Sequence, residues 1–410
     1  MNSPPDPFLA RFPRQGDELT IGGRKVSDLV KEYPTPLYVY DQSVLRWRHG
    51  EIRRALPKEL LITYAVKANP NRDMVRVLGG LYDGVDLASM GEMEIALAAG
   101  VPAGKMSFAG PGKSREELRF AVQQGIGTLS LESERELDHL ESLCAEMETE
   151  ARVMVRVNPD FEFSRSGLKM GGGSKQFGID SERVPALLER LAASQRVRYQ
   201  GIHIFSGTQN LNADAAVDAF AKILEYAAGL RAASGKPVAI LNLGGGFGIP
   251  YFRGDQPIDL DKVGEGLKRL LEEYAPKLPG TRFKIELGRY LAGECGLYLA
   301  SVLYRKVSRG ATYLILNGGM HQHLAASGNI SLSPIRRQMV LAAANRMGAP
   351  LEKVNVVGPL CTPLDTFGMN IELPTLGEGD IVAIPNSGAY GFSMSPIGFL
   401  SHRPPRELLL

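Results

Sequence analysis

The decapeptide LITYAVKANP, residues 61–70, reads as a buried strand running into a polar turn, with Lys67 at its C-terminal end. Two chemistries suit a lysine there. Its stem can lie along apolar surface with the ammonium in water, or its amine can be held for covalent work, as in a Schiff base. Other reactive side chains fall at similar points further on. GVDLASMGE carries Asp86 and Ser89, ARVMVRVN carries Arg156 and Asn158, and GIHIFSGTQN offers His203, Phe205 and Thr208. Gly244, Gly245 and Gly246 follow LNL directly. Glycines let backbone N–H groups approach a phosphate closely, although a triple glycine also serves as a plain flexible turn. In ELGRY, Arg289 supplies either the countercharge to such a phosphate or half of a rim ion pair. Glu286 lies inside the same apolar run, and a buried carboxylate needs a partner. Arg156 is one candidate, and the protonated ring nitrogen of a cofactor is another.

The elements that must position these groups alternate. Strand-like apolar runs are expected at Ile62–Asn69, Val85–Ser89, Met106–Gly110, Thr128–Ser133, Arg152–Asn158, Tyr199–Gly207, Val238–Gly246 and Arg282–Tyr290. Between them lie stretches with helical periodicity. SREELRFAVQQG opens on a capping box, Ser114 with Glu117, and closes on Gly125. SERELDHLESLCAEME and VDAFAKILEYAAGLRAASG repeat the pattern. Eight near-continuous apolar strands alternating with helices predict a parallel sheet closed into an α/β barrel of TIM type. Active sites of such barrels form at the C-terminal strand ends, with phosphate commonly held after strands seven and eight. That is where Lys67, the glycines and Arg289 fall. A lysine, a phosphate cradle and a carboxylate are together the parts of a pyridoxal 5'-phosphate site.

The barrel pattern stops near residue 290. CGLYLASVLYRKVS, ATYLILNGGM, EKVNVVGPLC and DIVAIPNSGAY read as strands between Gly, Pro and Asn turns, and only SPIRRQMVLAAANRMG, residues 333–348, reads as a helix. The expectation is a barrel over residues 41–290 and a mostly antiparallel β-domain over 291–410. ELTIGGRKV and TPLYVYD, within residues 1–40, should join that second domain. The net charge of +2 gives no electrostatic case for nucleic acid or an anionic membrane. No run is long and apolar enough to span a bilayer, and the proline-rich N-terminus lacks the apolar core of a signal peptide. Cys144, Cys295 and Cys361 are odd in number and widely spaced, which suits a reducing cytoplasm and argues against a disulfide framework.

YAVKAN, DLASMGE, GGGFG, ELGRY, GPLCTPLD and SGAY, taken in this order from about Thr35 to Leu400, resemble the ornithine/diaminopimelate decarboxylase family. That family comprises barrel-type (fold type III) pyridoxal enzymes of alanine-racemase-like architecture. The resemblance implies that Lys67 is the Schiff-base lysine. Asp86, Arg156, Gly244, Gly245, Gly246, Gly288, Arg289 and Tyr390 would be cofactor contacts, with Thr208 in place of a phosphate-binding serine. Glu286 would partner the pyridine nitrogen. Cys361 would be a proton donor reaching the site from the second subunit of a homodimer with shared active sites; without the family motif it reads instead as a small buried hydrophobe. The substrate-facing set would be Arg289, Thr362, Asp365, Tyr390, His321 and Arg336.

Two positions depart from the family pattern. Phe205 stands where a histidine usually stacks on the pyridine ring; it can stack but cannot titrate. Thr362 follows Cys361 where decarboxylases of free diamino acids place an acid. A threonine cannot balance an ammonium, so the substrate is expected to lack a free distal cation. KMGGGSKQFGID, FSGTQNLN, GGGFGIPYF and GGMHQHLAASGN resemble a narrower branch, in which one member acts on glutamate tethered to an acyl-carrier protein and others accompany exosortase-linked systems. Residues 318–338 would then wall an open mouth, with Arg336 and Arg337 available to an acidic carrier. His321 and His323 alternate without an acidic neighbour, which is a poor metal pattern. The leading expectation is an α-decarboxylase. The alternatives are a decarboxylase of free diaminopimelate, ornithine or lysine, an amino-acid racemase on the same fold, and a non-catalytic cofactor carrier.

Overall fold

The computed structural model describes residues 6–161, 168–169, 172–329 and 337–410. The chain divides into two compact units. One comprises Arg48–Ile249 and Gln256–Leu291, the other Met1–Trp47, Pro250–Asp255 and Ala292–Leu410.

The first unit is a closed barrel of eight parallel strands: β1 (Leu61–Ala65), β2 (Gly84–Leu87), β3 (Met106–Phe108), β4 (Thr128–Leu131), β5 (Ala151–Asn158), β6 (Val197–His203), β7 (Ile240–Gly245) and β8 (Arg282–Leu287). β8 pairs with β1 through Glu286↔Thr63, and β4 pairs with β5 through Leu129↔Val153, so no strand edge is left. The strands form where expected, and all but β5 end earlier. β1 stops at Ala65, and Lys67 sits in a single 3-10 turn, Val66–Ala68. That turn is pinned by the Asn69 N–H donating to the Val66 carbonyl (3.0 Å) and by the Tyr64 hydroxyl donating to the Asn69 carbonyl (2.9 Å).

Helices follow the strands, and all but α5 of those named here start on side-chain caps, which satisfy N–H groups that a helix cannot satisfy itself. Asn71 caps α1 (Arg72–Leu81), and Ser89 caps α2 (Met90–Ala98). Ser114 and Glu117 close the expected capping box of α3 (Arg115–Gln123), and Ser133 caps α4 (Glu134–Glu146). α5 (Val184–Ala193) carries proline in its first turn. Asn212 caps α6 (Ala213–Ser234), which ends on Gly235 at φ +67°, and Asp259 caps α7 (Leu260–Tyr274). Among the described residues no helix is long and apolar enough to cross a membrane.

The second unit is a mostly antiparallel sheet. β9 (Gly296–Ser308) pairs antiparallel with β10 (Ala311–Leu316), with β13 (Ile381–Ile384) and with Leu37–Tyr40; β11 (Leu351–Val357) pairs antiparallel with β12 (Thr366–Pro374). Two pairs are parallel: β10 with β11, and Arg406–Leu409 with Leu37–Tyr40. Of the helix expected over 333–348, none forms among the described residues 337–348. Residues 333–336 lie outside the described residues, and Ala342–Ala343 form a short strand on β13. The physical reason is burial on all sides. Met339 to Ala344 are all buried, and their N–H groups find tertiary partners, Met339 on the Ala326 carbonyl and Ala344 on that of Ile381. Sheet pairing overrides the helix preference of alanine, leucine and methionine.

Gly201 marks a register shift between β6 and β5, at φ +154°. A Cβ there would lie 1.8 Å from the Ile240 carbonyl oxygen of β7. Gly201→Ala should therefore push β6 off β7 and cost about 1–3 kcal/mol. Chemical denaturation of the two proteins side by side measures it.

Candidate active site

In most barrels the interior is packed with branched apolar side chains. Here polar groups enter it from most strands. Buried Thr63, Asp86, Ser107, Ser130, Arg156, His203, Asn242, Lys284 and Glu286 all lie on barrel strands. At the centre is Glu286. One carboxylate oxygen accepts from Asn242 Nδ2 and stands 3.3 Å from Lys284 Nζ; the other is 3.5 Å from His203 Nε2. Lys284 Nζ also donates to Ser107 Oγ at 2.7 Å, and Ser107 donates in turn to Asp86 Oδ1 at 2.9 Å. His203 Nδ1 lies 3.0 Å from Ser130 Oγ.

Burial sets the protonation states. His203 is fully enclosed, and desolvation drives its imidazole down to about 4, so it is neutral at physiological pH. A Glu286 carboxylate at Nε2 favours the tautomer with the proton on Nε2, leaving Nδ1 to accept from Ser130. Burial opposes the charge on Glu286, but its neighbours, first His203 and then Lys284, Lys67 and the Asn242 amide, hold it below the usual carboxylate range. With His203 neutral, that charge rests on the lysines and the amide. Burial and then the Glu286 charge push Asp86 the other way, up to about 7.

Lys67 is exposed, with its amine 5.5 Å from the centre of the Phe205 ring. Arg156 does not pair with Glu286, the first of its two expected partners. Its guanidinium donates to Glu132 at 2.6 Å and lies 4.9 Å from the Phe177 ring centre. Glu132 also accepts from the N–H groups of Gly110 and Gly178, so its charge is taken up in tying three loops together. The glycine run ends β7 and turns with Gly244 at φ +70° and Gly246 at φ +78°. A Cβ on Gly246 would come 1.9 Å from the Gly207 carbonyl oxygen, and one on Gly245 2.2 Å from that of Glu286. Only glycine lets this turn lie against the loop of Thr208, to which it is joined by the Asn210 N–H donating to the Gly246 carbonyl (3.0 Å). Gly288 and Arg289 follow β8 directly, where Arg289 opens a short helix, Arg289–Ala292.

In the second unit Cys361 is exposed on the loop between β11 and β12. Asp365 organises that loop. It is 2% exposed, with Oδ1 accepting from the Met320 N–H (2.6 Å) and Oδ2 from the Leu360 N–H (2.9 Å). Gly319 and Gly358 line it so closely that a Cβ on either would fall 2.5 or 2.2 Å from the carboxylate. The expected substrate contact of Asp365 gives way to a buried loop clamp, because both its oxygens are engaged by backbone. The Thr362 hydroxyl accepts from the Leu364 N–H at 3.3 Å. His321 is fully buried beside His402, with ring centres 4.8 Å apart, and so does not present itself as a wall to substrate. His323 Nε2 lies 2.9 Å from Ser387 Oγ, which itself donates to the Ile384 carbonyl; Ser387 therefore accepts from an Nε2–H. This fixes the SGAY turn, in which Tyr390 holds φ +54°, a left-handed conformation uncommon outside glycine. Arg336 lies outside the described residues. Arg337 pairs with Asp255 at 3.1 Å and covers the Phe252 ring.

Lys284, Ser107, Ser130 and Asn242 were not singled out from sequence. A signal was present, because residues two apart in a strand share a face. Once Glu286 points inward, so does Lys284. A lone serine inside each of the apolar runs MSF and TLSL carried the same hint.

An exposed amine beside an aromatic ring, a glycine turn meeting a threonine loop, and a buried carboxylate kept ionised suit pyridoxal phosphate: amine for aldehyde, N–H and hydroxyl for phosphate, anion for a protonated ring nitrogen. The barrel and site thus define a fold type III pyridoxal enzyme. The family description "Pyridoxal-dependent decarboxylase, pyridoxal binding domain" matches residues 42–293, and the chain belongs to that family as a decarboxylase dependent on pyridoxal phosphate. It is 36% identical to L-glutamyl-[BtrI acyl-carrier protein] decarboxylase of Niallia circulans, over 95% of this chain and 92% of that protein. It is 33% identical to diaminopimelate decarboxylase of Bacillus subtilis, over 95% and 90% of the two chains. The crystal structure of diaminopimelate decarboxylase from Helicobacter pylori complexed with L-lysine superposes with a TM-score of 0.83 at 27% identity, over 94% of this chain and 93% of that one.

His203 has a pH signature. Its folded pKa lies below the unfolded value near 6.5, so the unfolded chain binds the extra proton, and stability falls as pH drops from about 6.5 to 4. Asp86, raised to about 7, acts in the opposite sense, losing stability as pH rises through the same window. His203→Gln should therefore remove an acid-side loss on the order of 3 kcal/mol. Denaturation midpoints of variant and wild type, compared between pH 4 and 7, report it.

Proposed function

We propose that the enzyme removes the α-carboxylate of an amino-acyl substrate whose distal end bears no free ammonium and is joined to a carrier protein. The observation that carries this reading is the loop of Cys361. Its one acidic side chain, Asp365, is buried and already engaged by two backbone N–H groups, and the next residue after Cys361 is a threonine. Burying an unpaired ammonium costs several kcal/mol, and a hydroxyl that already accepts from Leu364 offsets little of it. The likeness to a decarboxylase named for a glutamyl carrier protein supports the same reading.

When bound, pyridoxal phosphate supplies a sink for the electron pair left as CO2 departs. Lys67 would supply the amine that holds the cofactor. Thr208, the N–H groups of Gly244–Gly246, Arg289 and Tyr390 would hold its phosphate, Gly288 would lie against it, and Phe205 would offer an aromatic face to its ring. Glu286 keeps a proton on the ring nitrogen. Cys361 or Lys67 returns a proton to the α-carbon. The exposed thiol of Cys361 suits a donor that serves the partner subunit's site in a cytoplasmic homodimer, with residues 1–40 and 291–410 contributing to site and interface.

Lys67→Ala should lose the visible cofactor absorbance and borohydride trapping; a trapped lysine elsewhere in the wild type would reassign the role. Mixing Lys67→Ala with Cys361→Ala should restore about a quarter of wild-type activity if sites are shared between subunits. Incubation with free amino acids and with aminoacyl carrier proteins, products read by mass spectrometry, tests the substrate. Free lysine and diaminopimelate should be poor substrates, and efficient turnover of either would overturn the reading.

A further inference from the structure

Lys284 has no part in the roles assigned above, yet it is the most enclosed cation beside Glu286. It is 7% exposed in β8, two residues before Glu286 and on the same face. An ammonium only donates. Its 2.7 Å contact therefore makes the Ser107 oxygen an acceptor and turns the Ser107 hydrogen onto Asp86, while its 3.3 Å contact reaches Glu286. One cation thus spans two buried carboxylates that would otherwise repel each other. The other polar and ionisable groups of this interior are Thr63, Ser130, His203 and Asn242, with Arg156 already paired to Glu132 and Lys67 exposed beyond β1. His203 is neutral at physiological pH, so it cannot take over the charge.

We propose that Lys284 is a positioning residue for the cofactor: its ammonium, tethered to Ser107, holds Glu286 and Asp86 in fixed places, so that Glu286 meets the ring nitrogen as an oriented carboxylate. This rests on Glu286 being the partner of that nitrogen. A lysine serving only to fill the barrel would be replaced without electrostatic consequence by methionine, which has a similar stem. A lysine whose charge holds the pair would not, because removing an adjacent opposite charge raises a carboxyl pKa by about 1–3 units.

The test uses the full-length protein loaded with pyridoxal phosphate and two readouts other than turnover: the infrared C=O band of protonated carboxyl groups, and the pH titration of the visible cofactor band. At pH 8 Lys284→Met should show a protonated carboxyl band stronger than in the wild type and lost in Lys284→Met/Asp86→Asn, because Asp86, already pushed up to about 7, is the first to take the proton. Its cofactor titration should also move by about one unit or more. Lys284→Arg, which keeps the charge, should restore both. Unchanged carboxylates and an unmoved titration in Lys284→Met would overturn the proposal, as would proton uptake by His203 instead. If Lys284→Met does not fold, Ser107→Ala keeps the ammonium and cuts its tether; a titration identical to wild type would then overturn it. Glu286→Gln alone separates the two readings. If it leaves the cofactor titration unmoved, Glu286 is not the ring partner, while the infrared comparison still decides whether Lys284 governs the carboxylates.

Discussion

A carboxylate enclosed in a barrel stays charged only if its surroundings replace the water it gave up. Glu286 sets that requirement, and much of the interior answers it. An amide from β7, an imidazole from β6 and an ammonium from its own strand surround it, and the ammonium continues through Ser107 to Asp86. The strands are short and parallel, so each can place one polar side chain at about the same depth. Closure of the sheet, from β8 to β1 and from β4 to β5, makes the array a ring rather than a row. The caps on the following helices and the glycine turn after β7 then fix the loops that leave it.

The second unit solves a similar problem once, and locally. Asp365 gives its two oxygens to N–H groups from separate segments, at Met320 and Leu360, and two glycines make room for it. What hangs from that clamp is exposed: Cys361, and Leu364 at 47% exposure. A second hydrogen-bonded turn, His323 on Ser387, holds Tyr390 in its left-handed conformation. Fully buried Tyr38 and Tyr298 support it from beneath, donating to the carbonyl and side chain of the intervening Gln322.

Strand positions, the barrel and the location of Lys67, Glu286 and the glycine turn were legible because they follow from periodicity, which is local. Ionic partners were not. Arg156 could be assigned to Glu286 or to a cofactor from sequence, but its choice of Glu132 depends on which side chains of neighbouring strands share a depth in the barrel. Asp365 read as a substrate contact because an acid near a cysteine looks exposed on paper; its burial depends on Met320, 45 residues earlier. The missing helix at 337–348 has the same origin. Met339–Ala344 has the composition of a helix and the burial of a strand, and only the contact with β13 decides between them.

The contrast between the interlocked barrel array and the loop hung from Asp365 bears on how such enzymes diversify. In the array each group's charge depends on several others, so substitutions there are strongly non-additive, and a change that helps one contact disturbs the rest. The loop is modular by comparison. Position 362 can exchange its side chain while the two N–H groups on Asp365, and hence the backbone path through Cys361, stay as they are. The loop can therefore change single side chains by nearly independent steps, whereas the barrel array admits change only when several of its members move together.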